Sequence, residues 1–192
     1  MLNNEFWKTV FEKQKDFDAS RFLIIKESSD ALQASKQAIF SIQRENENEA
    51  QEKLESARKV LKSLDERYGD NFRLRMEGSW KAAVEEFVEA KLFLDFYLER
   101  DLDEIKDFNI EADEYIGGLS DTTGEIIRMM VIWTTKKEIE KVKKANEAVH
   151  NIIHELMQYN FIGYLRTKFD QSKNNLRKAE EILYDISIRN IS

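Results

Sequence analysis

Gly117-Gly118-Leu119-Ser120-Asp121-Thr122-Thr123-Gly124-Glu125-Ile126-Ile127-Arg128 combines helix-forming periodicity with three glycines and two acids. At 3.6 residues per turn, Gly117, Asp121, Gly124, Glu125, Arg128 and Ile132 fall on one face. Each interior glycine costs a helix about 1 kcal/mol relative to alanine, so Gly117, Gly118 and Gly124 together call for a compensating cause. Close approach of another backbone, or of a substrate, supplies one. The nearest helix-compatible segment, Glu86-Phe87-Val88-Glu89, also carries two acids one turn apart. Two packed helices whose acids could converge are the expected arrangement.

Outward from this pair, the rest of the chain also reads as helix. Residues 3–43 predict one long helix, or two broken near Ser28-Ser29-Asp30, with Phe6, Val10 and Phe17 on one face and Leu32, Ser35, Ile39 and Ile42 on another. Arg44–Glu49 is the expected connection, with Asn46 or Asn48 capping a second helix that ends at a left-handed Gly69. A third helical stretch covers about 73–99, and Asp101 is placed to cap a short turn containing Glu104. The fourth helix starts at Asn109 and runs to about Trp133. Thr135 and Glu138 suggest a capping box opening a fifth helix that reaches about Tyr159. Gly163 marks the next break, and Leu176, Ala179, Leu183 and Ile186 form the core stripe of the last helix. No repeat, low-complexity tract or linker divides the chain, so residues 1–192 read as a single all-α domain of six to seven helices.

Composition agrees. The 192 residues include no proline, where an average chain of this length has roughly ten, and only six glycines, too few turn formers for a loop-rich β protein. A hydrophobic fraction of 42% is adequate for a sizeable core. The absence of cysteine excludes disulfides, thiolate ligands and a cysteine nucleophile. Met1-Leu-Asn-Asn-Glu-Phe-Trp lacks a basic start and an apolar run, and no segment has 18 uninterrupted apolar residues, so a soluble cytoplasmic protein without a membrane partner is expected. A net charge of −7 argues against nucleic-acid binding over the whole surface but leaves a locally lined cavity possible.

On the third helical stretch Ala82, Glu86, Glu89, Ala90, Phe93 and Tyr97 share a stripe, while Trp80, Val84, Phe87, Leu94 and Leu98 form a conventional core face. Glu86 and Glu89 therefore lie among small and aromatic residues, where an acid needs a partner. If Glu86, Glu89, Asp121 and Glu125 converge, their repulsion calls for a cation, and four hard oxygen donors favour Mg²⁺ or Mn²⁺ over Zn²⁺. Such an ion suits phosphoester hydrolysis. The ordinary alternative is that these are surface acids of a highly charged chain, with Arg128 in a local ion pair one turn from Glu125; Arg128 can equally hold a phosphate.

Other constellations are weaker. His150, His154 and Glu155 invite a zinc reading, but no third ligand is identifiable, which leaves surface or structural roles. Lys141 and Lys144, with Lys136, Lys137 and Lys143, form a basic face interleaved with Glu138 and Glu140; a solvated helix explains it, and a phosphate-contacting patch is the sharper alternative. Arg67, Arg73 and Arg75 flank Gly69 and either meet RNA backbone together or are solvated surface arginines. Trp80 and Tyr115 read as packing residues.

At the acidic segments the chain resembles the translin family, and within it the translin-associated factor X branch. Glu85-Glu86-Phe-Val-Glu89-Ala90 is similar to that branch's Glu-Tyr-Val-Glu-Ala. Asp113-Glu-Tyr115-Ile-Gly117-Gly-Leu-Ser-Asp121-Thr-Thr-Gly124-Glu125-Ile-Ile-Arg128-Met129 is similar to its Asp-Tyr-Leu-Leu-Gly-Val-Ala-Asp-Leu-Thr-Gly-Glu-Leu-Met-Arg-Met. The likeness continues through Phe161-Ile-Gly163, through Leu176, Lys178, Glu180, Tyr184 and Arg189, and more weakly at Lys36-Gln-Ala-Ile-Phe40. It implies a translin-like bundle of about seven helices, assembled into a hollow octamer, with a Mg²⁺-dependent endoribonuclease site facing the interior. The family's metal-binding and catalytic acids match Glu86, Glu89, Asp121 and Glu125. The expected substrate is single-stranded or partly duplex RNA, with single-stranded DNA as a further ligand. The chain lacks the basic N-terminal tail of the animal X-branch proteins and has a compressed connection between its third and fourth helices. In this it resembles compact archaeal members, which build the shell from one subunit type. A non-catalytic translin-like RNA- or DNA-binding shell is the alternative. A second is an all-α nucleoside triphosphate pyrophosphohydrolase, whose Glu-x-x-Glu and Glu-x-x-Asp helices fit the Asp-x-x-x-Glu of Asp121 and Glu125 poorly.

Overall fold

The computed structural model describes residues 2–191, and within them seven helices and no strand. The side chain of Arg189, one of the positions carrying the resemblance, lies outside what is described. α1 (Asn4–Gln43) is a single 40-residue helix, so the Ser28-Ser29-Asp30 sequence does not break it. Ser28 and Ser35 are buried, with Ala31 and Ala38 between and beyond them in a seam of small residues that lets neighbouring helices approach. α2 (Glu47–Tyr68) starts at Asn46, whose side chain accepts a hydrogen bond from the Glu49 backbone N–H.

α3 (Phe72–Arg75) and α4 (Gly78–Tyr97) replace the single helix expected over 73–99. The chain turns at Met76 and Glu77, directly after Arg75, which points inward and is held there. Its guanidinium donates to the Glu114 carboxylate at 2.8 and 2.6 Å, and both side chains are almost fully buried. α5 (Ala112–Thr135) begins with a capping box between Glu111 and Glu114 instead of at Asn109. α6 (Ile139–Leu156) and α7 (Gly163–Ile191) complete the bundle.

Three further expectations are corrected. Gly69 is not left-handed (φ −57°). Left-handed turns instead end α1, α4 and α5 at Glu45, Glu99 and Lys137, each followed by an N–H reaching back five residues: Asn46 to Ser41, Arg100 to Asp95 and Glu138 to Trp133. Thr135 opens no capping box, because its hydroxyl donates to the Val131 carbonyl inside α5. Residues 101–110 contain no helical turn. They are anchored by buried Ile105, by the tilted Phe108 ring 5.4 Å from that of Phe87, and by the Tyr115 hydroxyl donating to the Asp103 carbonyl.

α4 and α5 form the central pair, with α1 and α2 on one side and α6 and α7 on the other. α4 is covered on two faces: Trp80, Val84 and Phe87 are buried on one, Ala90 and Phe93 on the other. The α5 glycines divide by role. A Cβ on Gly118 would lie 2.7 Å from Val88 Cγ1 and 2.8 Å from the Glu85 carbonyl oxygen, whereas one on Gly124 would meet only Asn175 at an ordinary 3.5 Å. Gly118→Ala is therefore expected to destabilise the protein by about 1–3 kcal/mol through overpacking. Gly124→Ala should stabilise it by about 0.5–1 kcal/mol through helix propensity. Opposite shifts in denaturant midpoint would verify this division, and equal shifts would refute it.

Candidate active site

The α4–α5 seam opens into a cleft of about 600 Å³ whose walls include Glu85, Glu86, Glu89, Asp121, Tyr164 and Lys168. One-turn spacing puts Glu86 and Glu89 on the α4 face towards α5. Gly117 and Gly118 bring Asp121 against that face, and Glu125 follows one turn later. All four acids are partly buried.

Each acid but one has its own partner. Glu86 lies 3.8 Å from Lys36 of α1, Asp121 is ion-paired with Lys168 of α7, and Glu125 accepts a hydrogen bond from Gln43 of α1 and lies 3.6 Å from Arg128. The Glu89 carboxylate has no hydrogen bond or ion pair among the described residues. No three acids among the described residues gather as the ligand set of an ion. The donor chemistry nevertheless fits a hard dication: four carboxylate side chains, no sulfur or imidazole, and one carboxylate on which the charges of three others outweigh that of Lys168.

Burial drives the electrostatics. It pushes the Glu86 carboxyl up, reinforced by Asp121 and Glu125 and opposed by Lys36. Burial, then the charges of Asp121, Glu86 and Glu125, push Glu89 up to about 9. Asp121 is also raised by burial, which outweighs the hydrogen bond from Lys168. Glu89 thus keeps its proton when folded at pH values where the unfolded chain has lost it. The folded state binds more protons between about 4.5 and about 9, so this group makes stability fall as pH rises through that window. In EDTA, Glu89→Gln should melt at a higher temperature than wild type at pH 8, with the difference shrinking towards pH 5. A pH-independent difference would contradict that assignment.

The structure separates the remaining sequence candidates from this cleft. Arg75 is no RNA contact: it is buried against Glu114, with Trp80 5.1 Å away. Arg67 is paired with Glu27 and stacked on Tyr68, and Arg73 lies over the Phe17 ring at 4.2 Å. Lys141 pairs with Glu138 and Lys144 with Glu99, away from the four acids. His150 is exposed, 3.5 Å from Glu180, and joins no three-ligand cluster among the described residues. The cations at the cleft are instead Lys36, Lys81 and Lys168. The signal for Lys168 was the polar i, i+4, i+7 stripe Lys168, Ser172 and Asn175. Ser172 is buried, and Asn175 donates to Thr123 on α5.

Residues 20–190, most of the chain and all of the acidic cleft, match the translin family. The chain belongs to the translin family. Its fold is that of solved translin-type structures. The crystal structure of apo-NeC3PO superimposes with a TM-score of 0.86 at 23% identity, over 96% of this chain and 97% of that one. The AfC3PO–duplex RNA complex gives 0.83 at 16% identity, over 97% and 98%. AfC3PO alone gives 0.82 at 18% identity, over 97% and 99%. No curated protein sequence matches. Within this translin-family chain, no helix among the described residues is long and apolar enough to cross a membrane.

Proposed function

We propose that this translin-family protein is a Mg²⁺-dependent endoribonuclease of the translin-associated factor X type, with Mn²⁺ as an alternative ion. The observation that carries this reading is the partly buried, unpartnered Glu89 carboxylate beside Glu86 on α4 and across the α4–α5 seam from Asp121 and Glu125. Glu86, Glu89, Asp121 and Glu125 would hold the ion, which when bound supplies a Lewis acid for phosphodiester hydrolysis. An acid of this cluster would accept a proton from the attacking water. Lys36 and Lys81, on the cleft walls, are placed to attract the RNA backbone. Support for RNA as substrate comes from the structural relative solved with duplex RNA. Single-stranded RNA is the preferred substrate, with single-stranded DNA as a further ligand, and the protein works in the cytoplasm.

Cleavage of a labelled single-stranded RNA oligonucleotide in Mg²⁺, and its loss in EDTA, tests the activity. The pairing of Glu86, Asp121 and Glu125 with Lys36, Lys168, and Gln43 and Arg128 favours one other reading, a shell that binds RNA without cutting it; tight binding with no metal-dependent cleavage would select it. Enclosure of the substrate requires assembly. A homo-octamer of the 22.7 kDa chain has a mass of about 180 kDa, eight times the subunit, and light scattering is expected to find it. A monomer by that measurement would remove the enclosed-substrate part of the proposal.

A further inference from the structure

Lys168 already occupies the acidic cleft with a positive charge. Its side chain is only 15% exposed, its Nζ is ion-paired with Asp121, and it lies 2.8 Å from Glu85 Oε1. The Tyr164 hydroxyl donates to the same Glu85 oxygen at 2.5 Å. Glu85 lies across Gly117, where a Cβ would collide with its carboxylate, so the seat of the ammonium is built into the helix seam. Lysine suits such a seat, because a point charge on a flexible stem can change partners without leaving the site.

An ammonium on Asp121 and a dication on Asp121 oppose each other twice. They compete for the same oxygens, and they repel each other across a partly desolvated cleft. We propose that Lys168 is the positioning residue that sets the metal affinity of the cleft. It holds Asp121 in the metal-free protein, yields it to a divalent cation, and then stays tethered to the cleft wall through Glu85. This rests on the reading of Glu86, Glu89, Asp121 and Glu125 as metal ligands.

Mn²⁺ titration of the full chain by calorimetry tests both levels. Lys168→Met is expected to bind Mn²⁺ about tenfold more tightly than wild type, Lys168→Arg to return towards wild type, and Asp121→Asn to bind more weakly. Melting in EDTA should fall for Lys168→Met, and Mn²⁺ should restore more of the melting temperature than in wild type, which a purely structural lysine would not produce. A second measurement uses the wild type alone: acylation of Lys168, followed by mass spectrometry, should become several-fold faster in saturating Mn²⁺ than in EDTA. Lys81, paired with Asp113, serves as the reference amine. Equal Mn²⁺ affinity of wild type and Lys168→Met overturns the inference and leaves the metal site standing. If Lys168→Met does not fold, unchanged Lys168 labelling overturns it. Wild-type protein that binds no Mn²⁺ through Asp121 overturns both the inference and the proposed metal site.

Discussion

Glu89→Ala combined with Asp121→Ala is expected to leave a folded, helical protein whose metal-dependent RNA cleavage is lower by about a thousandfold or more, the scale on which hydrolysis loses an electrostatic anchor. Folding should survive because the acids are poor contributors to it. Burial and then neighbouring acids, Asp121, Glu86 and Glu125 for Glu89 and Glu85 for Asp121, raise the proton affinity of both, so their ionised forms are unfavourable in the metal-free protein. After the double substitution Lys168 still has Glu85, so no cation is stranded. Single-turnover cleavage of a labelled RNA in Mg²⁺, alongside circular dichroism of the same sample, separates lost chemistry from lost structure. Full cleavage by the folded double variant would sink the assignment.

Arg75→Met should be among the most destabilising single substitutions, costing about 3–5 kcal/mol, because it leaves Glu114 buried without its cation. Arg75 and Glu114 are 6% and 1% exposed in their side chains and meet through two hydrogen bonds, which fasten α3 to the first turn of α5. Glu114 also accepts from the Glu111 N–H, so its carboxylate caps the helix that carries Asp121. Replacing both residues, as Arg75→Met with Glu114→Met, should recover much of the loss, since an apolar pair strands no charge. Urea unfolding of the two singles and the double closes the cycle. Simple additivity would mean that the two side chains do not act as a pair.

Helix positions were legible because period and capping are local. Asn46, the apolar stripe of α4 and the glycine-rich face of α5 each needed only a few neighbouring residues to interpret. What depended on distant partners was not legible. Arg73 and Arg75 sit two positions apart in one polar segment, yet one lies exposed over Phe17 and the other is sealed against Glu114, 39 residues away. The break at Met76–Glu77 stands directly before Gly78, a local signal that the periodicity reading of 73–99 passed over. Spacing and apolar neighbours singled out Glu86, Glu89, Asp121 and Glu125 on two stripes, with surface acids as the ordinary alternative. Their individual partners, Lys36, Gln43 and Lys168, come from α1 and α7 and were not legible. The left-handed helix ends fell on Glu45, Glu99 and Lys137 because the five-residue return bonds fix the turn there, against the side chain's preference.

The non-helical connection between α4 and α5 bears on how this protein can vary. The register of Glu86 and Glu89 against Asp121 and Glu125 is set by Gly118 seated on Val88 and the Glu85 carbonyl, not by the peptide that joins the two helices. Insertions at exposed Glu104 would lengthen this connection at about 0.6 kcal/mol per doubling, without sliding one acid pair past the other. The length of the connection can therefore change while the two absent side chains of Gly117 and Gly118 keep the acid pairs in register.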